Sequence, residues 1–259
     1  MTGRLVFFAL VAVGLMIVGI NGVAADGVGV VLMHGKDGSA KSGSPTGKLA
    51  SKLEGEFEVK ATDMPWSRSN GFDKTLEECF AKIDNYVEGL RDDGATKIVV
   101  GGHSLGAAVA LAYATRRPGL AGVLLMAPGH RPDLLASENE AALSKAKALI
   151  GKGDGNDEVR IFDVNQGRKI TRSLEADVAV GFFDPGGLAV MQNAAPKVSP
   201  GTPVLWIIGE KDRLHPKGRS LIYDKIPDNP KSAYVVVPGG HRATPTKGAK
   251  KIKEWLDSL

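Results

Sequence analysis

The chain has 259 residues, of which 43% are hydrophobic and 24% are charged, proportions that are normal for a globular protein and exclude a largely disordered one. The formal net charge is +4, but the cations are scattered. The densest cluster, at residues 247–253, lies on a helical pattern whose solvated face explains it better than a nucleic-acid site does.

The N-terminus predicts export. An apolar run at residues 5–20 follows Arg4, and Val23 and Ala25 suit cleavage after Ala25. The alternative is a retained membrane anchor, because the run is only slightly short for a transmembrane span. In both cases we expect the rest of the chain to be exported, as a periplasmic or secreted protein or one held to the membrane by this segment.

Beyond residue 25, strand and helix signals alternate, as is typical of one domain of ordinary enzyme size. Short apolar runs predict six strands, at residues 28–33, 57–61, 97–101, 123–127, 203–208 and 233–237. Helical spacing predicts helices at residues 49–53, 72–90, 105–116, 218–225 and 247–259. Apolar strands separated by helices indicate a mostly parallel sheet with helices on both faces.

Residues 131–200 are less regular. They contain one predicted helix at 137–150, a Gly- and Asp-rich loop at 151–157 and an extended piece at 159–164. We interpret this stretch as an insertion before the penultimate strand, which would form a lid or one wall of a pocket. The single cysteine, Cys79, has no partner for an internal disulfide and fits a buried position on a helix.

The candidate nucleophile is Ser104, in the sequence Gly102-His103-Ser104-Leu105-Gly106. An apolar strand enters this Gly-x-Ser-x-Gly pattern and an apolar helix leaves it, which is the setting of a nucleophile elbow. Such a turn holds the serine in strained backbone geometry, and the glycines remove side chains that would collide. The neighbouring His103 is interpreted as a packing residue and not as a base.

The candidate base is His241, the last of five histidines. It follows the last strand, so it should reach the same edge of the sheet as Ser104. In this arrangement the acid lies between nucleophile and base in the sequence.

The candidate acid is Asp212, which follows the fifth strand and would orient the imidazole through its second ring nitrogen. Three other carboxylates stay open as alternatives: Glu210, Asp163 and Asp184.

Two backbone N–H groups should stabilise the oxyanion. We expect one from Leu105, directly after the nucleophile, and one from Lys36, in the loop after the first strand. Three further side chains are candidate substrate contacts: His34, His130 and Trp66. Structural roles are the alternative for each, since His34 could fix its loop, His130 could stabilise the loop after the fourth strand, and Trp66 could cap the core.

Taken together, the pentapeptide at 102–106, His34-Gly35, the segment at 209–212 and Gly240-His241 resemble the α/β-hydrolase fold superfamily over nearly all of residues 27–259. The chain looks like a small serine esterase or a dienelactone-hydrolase-like enzyme. Dienelactone hydrolases use a cysteine where this chain has Ser104. Family members commonly begin with two further strands, which are not evident here.

The resemblance implies an α/β-hydrolase fold and acyl transfer through Ser104, with a small-molecule ester or acyl compound of short or medium chain as substrate. We expect no metal and no organic cofactor, and no nucleic-acid partner. A membrane partner is expected only if the N-terminal segment is retained. An amidase, peptidase or acyltransferase could use the same residues, and a non-catalytic binding or envelope protein could use the same scaffold.

Overall fold

The structure, a computed structural model, describes residues 27–259. The predicted export signal or anchor at residues 1–25 lies outside the described residues. Within the described range, none of the helices combines the length and the apolar character needed to cross a bilayer.

Six of the eight strands in the described range form one parallel sheet. The strands are β1 (Val28–Met33), β2 (Glu58–Thr62), β3 (Lys97–His103), β4 (Gly122–Met126), β5 (Glu158–Asn165), β6 (Arg168–Glu175), β7 (Val204–Gly209) and β8 (Ala233–Val237). The sheet has the order β2-β1-β3-β4-β7-β8, and every neighbouring pair is parallel. The predicted sheet and its six strands are therefore confirmed.

Helices cover both faces of this sheet. They are α1 (Pro45–Leu53), α2 (Leu76–Asp92), α3 (Leu105–Ala114), α4 (Ala136–Lys152), α5 (Ala176–Phe183), α6 (Met191–Ala194), α7 (His215–Leu221), α8 (Thr244–Lys247) and α9 (Ala249–Asp257). Alternate residues of β1 face opposite sides, so Val31 packs in the core with α2 and α3, and Val30 packs in the core with α1 and α9. All ten residues of α3 are buried, which places this helix deep against the sheet.

Local signals decide where several helices begin. The predicted helix at 72–90 begins at Leu76, because Thr75 accepts a hydrogen bond from the Glu78 N–H and the Glu78 carboxylate accepts one from the Thr75 N–H. The predicted helix at 218–225 is instead α7 followed by a short 3-10 turn (Tyr223–Lys225).

The insertion lies between β4 and β7 and is more ordered than its sequence indicates. The predicted helix and extended piece correspond to α4 and β5, but β6, α5 and α6 were not predicted. Strands β5 and β6 form an antiparallel hairpin separate from the main sheet. Strand β6 is mostly exposed and polar, so it lacks the apolar pattern that identifies a strand.

Candidate active site

The nucleophile candidate occupies a strained turn between β3 and α3. Ser104 has φ 58° and ψ −116°, a conformation that a residue with a side chain rarely adopts. A β-carbon added to Gly102 would lie 2.3 Å from the Gly106 carbonyl carbon, and one added to Gly106 would lie 2.6 Å from the Met33 carbonyl oxygen. Both positions therefore need glycine for the helix to approach the sheet this closely.

Asp212 and His241 are joined by a hydrogen bond. His241 Nδ1 donates to Asp212 Oδ2 at 2.7 Å, and the Leu214 N–H donates to Asp212 Oδ1 at 2.8 Å. Burial raises the pKa of Asp212, but the bonds from His241 and Leu214 outweigh burial, so the pKa lies below its ordinary value. The carboxylate stays ionised and leaves His241 Nε2 free to accept a proton.

The side chains of Ser104 and His241 both lie next to Gly129. A β-carbon added to Gly129 would lie 3.0 Å from Ser104 Oγ and 3.6 Å from His241 Nε2. No hydrogen bond joins Ser104 to His241 in the described structure. In enzymes without bound substrate, the hydrogen bond between nucleophile and base is often long and shortens only when substrate binds. A side chain at position 129 would collide with both Ser104 and His241. Gly129 therefore belongs to the site, although its sequence context gave no signal of this.

The alternative carboxylates lie elsewhere. Glu210 is exposed. Asp184 pairs with Lys147, and Asp163 is held in a separate ion network. Among the carboxylates that the structure describes, Asp212 is the one hydrogen-bonded to His241.

His103 contacts both the backbone and the ring of His241. Its Nε2 donates to the His241 carbonyl oxygen at 3.0 Å, and the two ring centroids lie 4.7 Å apart. Burial, followed by the nearby His241, lowers the pKa of His103 to about 3. His103 is therefore neutral at ordinary pH and helps to position the loop that carries His241.

The two residues expected to donate to the oxyanion, Leu105 and Lys36, lie beside the same cavity as Ser104. Leu105 is the first residue of α3. Within residues 27–259, neither N–H donates to a protein acceptor, so both are available for a ligand. Gly35 packs against the nucleophile, since a β-carbon there would lie 3.0 Å from Ser104 Cβ.

His34 and Trp66 fix the loop after β1. His34 Nε2 accepts from the Met64 N–H at 2.9 Å, His34 Nδ1 donates to the Gly35 carbonyl at 2.8 Å, and burial lowers the pKa of His34. The Trp66 indole N–H donates to the His34 carbonyl at 2.9 Å. His34 still lines the cleft, but Trp66 is 0% exposed and packs in the core. The proposed substrate contact of Trp66 is therefore corrected to a core position.

His130 lies in the cleft wall and is tied to the insertion. Its Nε2 donates to the Phe182 carbonyl at 2.7 Å, which leaves Nδ1 as a buried acceptor without a partner in the described structure. Burial first, and then the charge of Lys36, lower the pKa of His130 to about 3. A neutral ring in this position links the loop after β4 to α5.

A buried ion network joins the loop after β1 to the β5–β6 hairpin. Lys36 Nζ lies 2.5 Å from Asp163 Oδ1, and Arg172 bridges Asp163 and Asp37, each at 2.7 Å. Asn165 Nδ2 also donates to Asp37 Oδ2 at 2.9 Å and to the Lys36 carbonyl at 3.3 Å. The insertion therefore holds the loop that contains Lys36 and Asp37 in place.

The cleft consists of two chambers that share Ser104 and His241. The large chamber, about 760 Å³, is bounded by the loop after β1, the start of α1 and the loop after β2. The small chamber, about 530 Å³, contains most of the aliphatic wall: Pro128, Pro132, Leu134, Leu135, Val164 and Leu214.

Comparisons with known proteins agree with this architecture. The model of the alpha/beta hydrolase family matches residues 30–247. None of the curated proteins matches the sequence significantly.

Several solved structures share the fold at low sequence identity. A monoacylglycerol lipase from Paleococcus ferrophilus is 21% identical, with 89% of this chain and 94% of the lipase covered and a TM-score of 0.62. A thermostable carboxyl esterase from Bacillus coagulans is 17% identical, with 89% and 88% covered and a TM-score of 0.60. One of the metagenome-derived lipolytic enzymes LipS and LipT is 17% identical, with 91% and 96% covered and a TM-score of 0.60. At these identities the likeness concerns the fold alone.

The ion network predicts a large effect of Asp163→Asn. The substitution leaves Lys36 and Arg172 buried without their shared counter-charge, so we expect the free energy of unfolding at pH 7 to fall by about 3 kcal/mol. Urea unfolding measures this. The matched control is Asp224→Asn, which removes the exposed pair with Arg219 and should cost less than about 1 kcal/mol.

The loss of unfolding free energy caused by Asp163→Asn should depend on pH. Burial raises the pKa of Asp163, but Lys36 and Arg172 outweigh it and hold the pKa below its ordinary value. A carboxyl with a lowered pKa stabilises the fold above its unfolded pKa, near 4, and loses that contribution as pH falls through the folded pKa. The difference between wild type and Asp163→Asn should stay constant from about pH 7 to 5 and shrink below about pH 4. An equal cost for both substitutions at pH 7 would contradict the network's role.

Proposed function

The chain belongs to the alpha/beta hydrolase family, and on that premise we propose that it is a serine carboxylesterase that acts on small to medium esters. The observation that carries the proposal is the hydrogen bond between His241 Nδ1 and Asp212 Oδ2, 2.7 Å long, beside a serine held at positive φ. A buried carboxylate that fixes one imidazole nitrogen, with the other facing a strained serine, is the arrangement that activates a hydroxyl.

In the proposed mechanism, His241 Nε2 accepts the proton of Ser104 Oγ as Oγ attacks the ester carbonyl. The N–H groups of Leu105 and Lys36 stabilise the negative charge that develops on the carbonyl oxygen. His241 then donates the proton to the departing alcohol, which leaves an acyl group on Ser104. Water attacks this acyl group with His241 again as base, and the acid product is released.

The two chambers favour short or medium acyl groups. The small chamber has aliphatic walls but a volume of about 530 Å³, and the large chamber is bounded mostly by polar residues. A long alkyl chain gains its binding energy from apolar contacts along its length, and the aliphatic side chains of the described cleft are concentrated in the small chamber.

Labelling with a fluorophosphonate tests the mechanism. We expect wild-type protein to be labelled and Ser104→Ala to show no labelling, while Ser199→Ala, an exposed serine away from the cleft, is the matched control and should label normally. Asp212→Asn should slow labelling by roughly 10³-fold or more, because the imidazole loses its orientation. Folded wild-type protein that resists labelling would favour a non-catalytic binding protein on this scaffold.

Chain-length preference tests the substrate class. We expect kcat/KM for p-nitrophenyl butyrate to exceed that for p-nitrophenyl palmitate by roughly tenfold or more, since about 0.8 kcal/mol per methylene is gained only where the cleft buries the chain. Initial rates with both esters dispersed in the same detergent measure this. A preference for palmitate would overturn the assignment to small and medium esters.

A further inference from the structure

We propose that the substrate hydrolysed at Ser104 carries a carboxylate group that binds in the large chamber. The inference rests on the proposed function and specifies its substrate class. It concerns the part of the substrate that does not react, on either the acyl or the alcohol side of the ester.

The residues that line the large chamber are mostly of polar types. Apart from Pro45 and the methyl group of Thr46, its side chains within the described structure are charged, hydroxyl-bearing, amide or imidazole groups, and glycine supplies the rest. An apolar substrate group would leave these polar groups without water or a partner, which costs free energy. A polar substrate group would satisfy them.

The charges in this chamber are predominantly positive. Lys41, Arg68 and Arg242 line it and are exposed, and in residues 27–259 none of the three has an ion-pair partner. The chamber also contains two carboxylates. Asp37 is neutralised by Arg172, and Asp63 accepts the Ala40 N–H at 2.6 Å.

The remaining charged group of the wall is already compensated. Lys36 is paired with the buried Asp163, so it adds little net charge to the chamber. Three uncompensated cations against one carboxylate leave a positive field in a cavity that opens directly onto the nucleophile, and such a field attracts and retains anions.

The start of α1 adds hydrogen-bond donors at the same place. Ser44, Pro45 and Thr46 line the chamber, and the Ser44 hydroxyl accepts from the Gly47 N–H at 2.9 Å. Thr46 is 1% exposed, its Oγ1 has no partner, and its N–H has no acceptor in the described structure. The start of a nine-residue helix, with an N–H that has no acceptor, favours a negative charge in the adjacent chamber.

The small chamber suits the opposite end of such a molecule. Leu134, Leu135 and Leu214 lie in its wall together with Lys211 and Arg213, and the uncharged part of the ester would pack against the three leucines. An ester with one short apolar arm and one anionic arm would therefore fill both chambers and bring its carbonyl to Ser104.

The test compares pairs of esters in which one member has a carboxylate where the other has a neutral group. One pair places the charge on the alcohol side, 4-acetoxybenzoate against 4-acetoxybenzamide, and the other places it on the acyl side, the mono-p-nitrophenyl ester of adipic acid against p-nitrophenyl hexanoate. We expect kcat/KM for the anionic member of at least one pair to exceed that of the neutral member by about tenfold at low ionic strength. The ratio should fall toward one in about 0.5 M salt, because salt at that concentration screens most of the attraction between exposed charges.

Variants locate the effect. Lys41→Gln and Arg68→Gln should each lower the anionic-to-neutral ratio by roughly threefold, the size expected for one exposed charge pair, through a fall in kcat/KM for the anionic ester. Lys48→Gln, on the same helix α1 but outside the chamber wall, is the matched control and should leave the ratio unchanged. A ratio near one for both pairs, or a ratio insensitive to Lys41→Gln and Arg68→Gln, would overturn the proposal.

Fluorophosphonate labelling separates failure of this inference from failure of the proposed function. Protein that is not labelled at Ser104 contradicts the hydrolase mechanism itself. Protein that is labelled gives a second comparison without turnover: adipate should slow labelling of wild type more than of Lys41→Gln or Arg68→Gln. Equal protection in all three would contradict the carboxylate site and leave the hydrolase mechanism standing.

Discussion

The close approach of α3 to the ends of β1 and β3 is the constraint on which the site depends. It is possible because Gly102 and Gly106 present no side chains at contacts that would otherwise be 2.3 Å and 2.6 Å. The turn that results holds Ser104 at φ 58°, and the burial of every residue of α3 stabilises the fold enough to keep that strain. Without this contact the hydroxyl would not face the imidazole.

The parallel sheet supplies the other groups at the same edge. The carboxyl ends of the strands meet there, so Lys36 follows β1, Gly129 follows β4, Asp212 follows β7 and His241 follows β8. The insertion then fixes the loop after β1, because the hairpin places Asp163 against Lys36. The geometry of the candidate site and the stability of a buried ion network are therefore linked in one structural element.

Sequence reasoning located the sheet and the three candidate catalytic positions because each has a local signal: apolar runs, the Gly-x-Ser-x-Gly turn, and the order of acid and histidine after strands. It missed β6, whose exposed polar residues show little periodicity. It named Trp66 as a candidate pocket residue with a core position as the alternative, since an indole after a strand end fits either environment. The roles of Asp163 and Gly129 depend on contacts with residues distant in sequence, which composition and spacing do not encode.

Direct detection of the covalent intermediate tests the central claim, that Ser104 becomes an acylated nucleophile. Wild-type protein would be mixed with p-nitrophenyl acetate, quenched in acid within the first turnover, digested and analysed by mass spectrometry. We expect one acetyl group on the peptide that contains Ser104, and none on that peptide in Ser104→Ala. Release of p-nitrophenol with the acetyl group found on another residue, or with no acetylated peptide in a trapped first turnover, would contradict it.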